Sequence, residues 1–99
     1  MRWRIEYSPE AVEHVKALTA FQRTLVVDAV DEQLTHQPTL ETRNRKLMKP
    51  NIYAQWELRV RDLRVFYKVR EEEGIVSIRG VGIKVRDRIR LGDEELDLQ

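Results

Sequence analysis

Side chains alternate on both sides of Arg61-Asp62 in a pattern that leaves few folds open. Trp56, Leu58 and Val60 take every second position, with Gln55, Glu57 and Arg59 between them. Leu63, Val65, Tyr67 and Val69 alternate in the same way with Arg64, Phe66, Lys68 and Arg70. A period of two over adjoining segments predicts two half-buried strands. With Arg61-Asp62 as the turn, Val60 faces Leu63, Leu58 faces Val65 and Trp56 faces Tyr67. All three pairs are apolar, and a slip of one residue would turn them to water, so this face is assigned to the core. The other face pairs Arg59 with Arg64, Glu57 with Phe66, and Gln55 with Lys68. Arg-Asp is not a favoured two-residue turn, so a longer loop with the same faces stays open.

Arginine opposite arginine repels unless an anion lies between the two. One reading has both guanidinium groups splayed into water, with Glu57, diagonal to Arg64, relieving the repulsion. The other has the sheet prepare a phosphate site, since guanidinium forks match phosphate oxygens.

The flanking sequence supplies the rest of the domain. Trp3, Ile5 and Tyr7 alternate with Arg2, Arg4 and Glu6, which predicts a strand over 2–7. Ser8-Pro9 is an N-cap followed by proline at the first helical position, and Val12, Val15 and Leu18 continue at helical spacing to residue 18. Thr19 and Gln22 have the spacing of a capping box. Phe21, Leu25, Val26, Ala29, Val30 and Leu34 then form the apolar stripe of a second helix, which Pro38 stops. Residues 38–54 lack a period and read as a long connection carrying Arg43, Arg45, Lys46 and Lys49. After Glu71-Glu72-Glu73-Gly74, residues 75–83 read as a last, central strand, with Gly80 and Gly82 marking a bulge or close backbone approach. The order β-α-α-β-β-β predicts an α+β fold, a two-helix hairpin packed on an antiparallel sheet. Residues 1–90 read as one domain and 91–99 as an acidic C-terminal tail. Of the two placements for that tail, a solvated end is preferred to one folded back over the basic face.

Composition narrows the function classes. The net charge is only +1, yet residues 43–90 carry a balance of +8 against −3 for residues 1–42 and −4 for 91–99. A basic half of that kind suits a polyanion, although a solvated surface has the same composition. The absence of cysteine excludes disulfides and thiolate chemistry and fits a reducing, cytoplasmic setting. No stretch is long or apolar enough for a membrane span or signal peptide. No metal-ligand cluster, glycine-rich phosphate loop or serine triad is present, so no metal or cofactor is expected. His14 and His36 read as ordinary surface or boundary histidines. Trp3, Trp56, Tyr67 and Phe21 fall on predicted core faces, which leaves Phe66 as the aromatic placed for base stacking.

The stretch from Trp56 to Val69, Trp-Glu-Leu-Arg-Val-Arg-Asp-Leu-Arg-Val-Phe-Tyr-Lys-Val, resembles the RelE/ParE superfamily of toxins from type II toxin–antitoxin systems. The opening Trp-Arg-Ile-Glu-Tyr strand, the helical hairpin ending before proline, Arg-Lys-Leu at 45–47 and Val81-Gly82 followed by basic residues extend the resemblance over residues 2 to about 88. It implies the RelE-like fold, a cognate antitoxin as partner and one of two activities. RelE-like members are ribosome-dependent mRNA endonucleases that inhibit translation, with the ribosome and mRNA as partners. ParE-like members act on DNA gyrase without ribonuclease chemistry. A catalytically inactive homologue acting in antitoxin-bound autorepression is a third expectation, and the endonuclease is the favoured one.

By position, Arg64 matches the family arginine that holds the scissile phosphate, and Lys84 the basic residue after the last strand. Glu57 is the candidate general base, as in branches that use a glutamate there. Arg59, Arg43, Arg45, Lys46, Lys49, Phe66 and Arg86 complete the expected nucleic-acid contacts. The chain departs from the best-known nuclease branch where Gln55 and Glu57 replace two lysines and where Arg90 or nearby basic residues stand in place of a C-terminal tyrosine. No general acid is visible.

Overall fold

The computed structural model describes residues 2–96. Its elements are β1 (Arg4–Tyr7), α1 (Pro9–Lys16), α2 (Ala20–Leu34), β2 (Arg45–Leu47), β3 (Trp56–Val60), β4 (Leu63–Arg70), β5 (Ile75–Val85), β6 (Arg88–Leu91) and β7 (Glu94–Leu96). The helices begin where their caps dictate. The Ser8 side chain accepts from the Ala11 N–H with Pro9 at the first helical position. Thr19 and Gln22 exchange both bonds of a capping box, satisfying amides that the first turn leaves without partners.

The β3–β4 hairpin has the register read from the sequence: Trp56 pairs with Tyr67, Leu58 with Val65, Val60 with Leu63, Glu57 with Phe66 and Arg59 with Arg64. Arg61 turns it with a positive φ of 56°, as the first central residue of a II′-like turn requires. The sheet runs β2-β3-β4-β5-β6-β7, antiparallel throughout, and β1 joins it parallel to β5. Between Phe66 and Tyr67 the β4–β5 register shifts, so Phe66 faces Gly80 while Tyr67 faces Ile78. The extra residue, Arg79, is the bulge that the glycines announced.

The two helices cover one face of the sheet. Val26, Val30 and Leu34 of α2 meet Leu58, Val65, Tyr67, Ile78 and Val81, all fully or nearly fully buried. Side chains of this size contribute about 1.5–3 kcal/mol each on burial. Trp56 and Tyr67 stack at 6.2 Å, and the Tyr67 hydroxyl donates to the Pro38 carbonyl at 2.6 Å, tying the connection after α2 to the sheet.

The second face carries its own core. Phe66, Ala54 and Leu91 are buried there, with Met48, Tyr53, Ile89 and Leu96 packed around them. Residues 48–55 close over it from one side, pinned where Asn51 accepts from the Tyr53 and Ala54 amides and donates to the Lys49 carbonyl. The β6–β7 hairpin closes over it from the other. In residues 91–96, expected as the start of a solvated acidic tail, Leu91 instead ends β6 and is buried, and Glu94–Leu96 pair with β6 as β7; residues 97–99 lie outside the described part. The physical reason is that Ile89, Leu91 and Leu96 alternate toward Phe66, so the acidic residues cover an apolar stripe. At Gly82 an added Cβ would lie 2.7 Å from Ile89 Cγ2 and Leu91 Cδ2. Glycine there is what lets β6 lean across the sheet.

The remaining edge of β5 is shared. β1 occupies residues 75–78 and β6 residues 83–85, and α1 fills the gap. Ser8 Oγ donates to the Arg79 carbonyl at 3.2 Å, and the Val81 N–H donates to His14 Nδ1 at 3.2 Å. Side chains thus replace the missing strand.

Candidate functional site

Alternation along β2, β3 and β4 sets Lys46, Glu57, Arg59, Arg64 and Phe66 on the face away from the helices, and Lys84 of β5 shares it with Ile89, its partner on β6. The expected cluster therefore shares a face. Its members are in very different states.

Arg64 is only 9% exposed. One terminal nitrogen donates to the Arg61 carbonyl at 2.7 Å and the Leu63 carbonyl at 2.9 Å. Burial pulls its guanidinium below the ordinary arginine range; Glu57 opposes that shift and Arg59 reinforces it. Arg59 is half exposed, and its Nε donates to Glu57 Oε1 at 2.8 Å, Glu57 itself being largely covered. The repulsion between Arg59 and Arg64 is thus met inside the protein, by Glu57 beside one and by backbone carbonyls around the other.

Two expected nucleic-acid contacts do not reach solvent. Phe66 is fully buried under Ala54, Leu91 and Tyr53 and cannot stack on a base; of the two covering layers, residues 48–55 carry no period, and the alternation of β6 spans only four residues. Arg45 is buried in β2, donating to the Leu40 and Gln33 carbonyls at 3.0 and 2.9 Å. It ties the end of α2 to the sheet, because the last carbonyls of a helix lack partners. Arg43, Lys49, Lys84 and Arg86 are exposed, and Lys46 is partly so.

Among the described residues the most exposed aromatic is Phe21. It was expected in the core, yet it stands 64% exposed at the start of α2 with the Arg61 guanidinium 5.8 Å from its ring centre. His14, expected as a boundary residue, is one, and it has a structural task as acceptor for Val81. Burial lowers its pKa, with Glu94 and Glu10 pulling the other way. Tyr7 has a buried hydroxyl without a hydrogen-bond partner, pushed up to about 12 by burial and then by Asp31. Among the described residues no group of His, Cys, Asp and Glu could hold a metal ion, and no helix is long and apolar enough to cross a membrane.

Two side chains able to carry an acid proton, His14 and Tyr53, reach this side beside Gly80, the partner of Phe66, and His14 Nδ1 already accepts the Val81 N–H. What the face offers is positive charge and one carboxylate that is already engaged. Transesterification through a 2′-hydroxyl needs a base, an acid and charge stabilisation; only the last is well supplied here.

Solved structures that share the fold include two toxin–antitoxin complexes. The toxin–antitoxin complex RelBE2 from Mycobacterium tuberculosis aligns with a TM-score of 0.70 at 16% identity, covering 85% of this chain and 100% of that one. The archaeal RelE–RelB complex from Pyrococcus horikoshii OT3 aligns at 0.63 and 14% identity, covering 87% and 99%. A search among proteins of curated function finds no match. Residues 5–88 match the family described as the ParE toxin of the type II toxin–antitoxin system parDE. That match spans most of the chain, both helices and strands β3 to β5, and the chain belongs to the ParE toxin family of type II toxin–antitoxin systems.

Proposed function

We propose that this toxin acts by binding its target rather than by cleaving RNA, DNA gyrase being the target that the ParE resemblance implies. The observation that carries the reading is the state of Arg64, a residue 9% exposed with one terminal guanidinium nitrogen committed to two backbone carbonyls. A phosphate ligand must be free to meet the oxygens of an incoming group. The burial of Phe66 and the Arg59–Glu57 pair support the same conclusion, because base stacking and proton abstraction both require groups that are held in other contacts.

A ribosome-dependent endonuclease is the second reading. It is favoured by one observation, the presence of Lys46, Glu57, Arg59, Arg64 and Lys84 on a common face. In that reading Glu57 leaves Arg59 to act as base while Arg64 and Lys84 hold the phosphate.

Purified protein titrated into a gyrase supercoiling reaction, alongside mapping of transcript 5′ ends in cells expressing it, separates the two. Loss of supercoiling with unchanged transcript ends is the expected result. New message ends with supercoiling intact would replace it with the endonuclease.

A further inference from the structure

Two of the hairpins turn on the same tripeptide. Val60-Arg61-Asp62 joins β3 to β4, and Val85-Arg86-Asp87 joins β5 to β6. In both the arginine holds a positive φ, 56° at Arg61 and 61° at Arg86, a region that glycine enters freely and other residues enter at a steric cost. The third two-residue turn, between β6 and β7, has Gly92 at the same position with φ 62°. The fold therefore accepts glycine in this kind of turn, and the two arginines are retained against local preference. Backbone strain of this kind collects at functional positions.

We propose that the two Val-Arg-Asp turns together form the surface by which the toxin docks on the protein it inhibits. The inference rests on the binding reading given above. The turns lie at one end of the sheet, since the Lys84 N–H donates to the Asp62 carbonyl at 2.6 Å and Arg86 follows two residues later. Neither Arg61 nor Arg86 joins an ion pair among the described residues, whereas Arg59 and Arg88 do. Beside them stand two exposed apolar side chains, Phe21 under the Arg61 guanidinium and Val85, 52% exposed, at the start of the second turn. Exposed arginine next to exposed aromatic surface is the composition of an interface centre.

The chemistry of the surface selects its occupant. Each arginine has an aspartate next to it in the turn, and those carboxylates would repel a phosphodiester backbone at both tips. Phe21 and Val85 call for apolar counterparts, which a nucleic-acid backbone lacks. A protein surface fits on both counts, because it can set an acceptor against each arginine and a cation or N–H donor against each aspartate around an apolar patch, whereas a phosphodiester backbone carries one sign of charge throughout. Interfaces with permanent partners are more apolar than this mixed-charge end of the sheet, so the surface is assigned to the transiently bound target and not to the antitoxin.

The test uses the double variant Arg61→Gly/Arg86→Gly in the full chain. Glycine relieves the positive φ, so the fold is retained and the melting temperature is expected to match or exceed that of the wild type. Inhibition in the supercoiling reaction is expected to weaken about tenfold or more, with affinity for the cognate antitoxin unchanged. If wild type and variant inhibit supercoiling equally, the docking surface is wrong and the binding reading stands. If the wild type leaves supercoiling untouched, gyrase is not the target, and growth inhibition decides: a variant as toxic as the wild type overturns the surface, and a harmless one supports it with another target protein. A wild type that self-associates in sedimentation through these arginines, while the variant does not, also overturns the assignment, by making the surface a contact between copies. Equal loss of antitoxin affinity overturns it as well.

Discussion

Truncation of Arg64 to alanine distinguishes a ligand-binding residue from a structural one. If Arg64 were a free phosphate contact, its removal would abolish function and leave stability alone. The structure leads to the opposite expectation for stability. Truncation removes two charge-assisted bonds, to the Arg61 and Leu63 carbonyls at 2.7 and 2.9 Å. It also removes a side chain that is 9% exposed. The Arg61 carbonyl lies in an exposed turn where water can replace the lost donor, so the two bonds together are worth about 2 kcal/mol rather than the full cost of two orphaned groups. The packed methylene stem adds about 0.5–1 kcal/mol. The sum, about 2–3 kcal/mol, lowers the melting temperature of a domain this size by about 10–20 °C. Arg64→Lys keeps the stem and one donor and should lose about half as much. Thermal unfolding followed by circular dichroism reads both values. An Arg64→Ala protein that melts with the wild type and yet has lost toxicity would refute the reasoning, and it would return the residue to the role of phosphate ligand.

Three further outcomes follow from the same contacts. Arg45→Ala should cost about 2–3 kcal/mol in denaturant unfolding, because it strips the Leu40 and Gln33 carbonyls of a buried donor, while Arg43→Ala two residues away should change stability by less than about 0.5 kcal/mol. His14 is favoured neutral in the folded state, its pKa lying below the 6.5 of the free side chain. The unfolded chain then binds more protons, so the stability His14 contributes is complete above pH 6.5 and is lost as pH falls through its folded value. His14→Gln, which keeps an acceptor for the Val81 N–H, should flatten that part of the stability–pH curve, and an unchanged curve would exclude His14 as its source. Gly82→Ala places a methyl group 2.7 Å from Ile89 and Leu91 side-chain carbons and 2.8 Å from the Arg90 carbonyl oxygen. It should cost about 1–3 kcal/mol, with proteolysis opening the β6–β7 hairpin before the rest of the sheet.

The fold was legible wherever a residue type enforces a local geometry. Ser8-Pro9 and the Thr19–Gln22 box set the helix starts, and the apolar pairs across Arg61-Asp62 set a register that the structure reproduces at every pair from Trp56–Tyr67 to Val60–Leu63. Where elements are short and assembled by contacts distant in sequence, no period survives to be read. β2 has three residues, and its place at the sheet edge depends on Arg45 reaching the end of α2. The C-terminal strands carry turn signals of their own: Arg86-Asp87, between β5 and β6, repeats the turn at Arg61-Asp62, and Gly92-Asp93, between β6 and β7, is a favoured two-residue turn. The acidic run Asp93-Glu94-Glu95 masks the second of them.

The same masking explains why the site was harder to read than the fold. A strand's alternation says which face a side chain leaves from, and it is silent on whether something else then covers that face. Arg59, Arg64 and Phe66 do leave from one side of the sheet, as their register requires. The loop at 48–55 and the C-terminal hairpin then convert much of that side into a second core, so that Phe66 becomes packing and Arg64 becomes a clamp on backbone carbonyls. Counting basic residues therefore overestimates the charge available to a ligand. Arg45 and Arg64 serve carbonyls, and Arg59 and Arg88 serve Glu57 and Glu95. Arg61 and Arg86, at the tips of the β3–β4 and β5–β6 hairpins, join no ion pair among the described residues and are the two arginines held in backbone conformations that their residue type disfavours. Charge that stabilises the fold is found paired, whereas charge kept at a steric cost and left unpaired points outward to a partner.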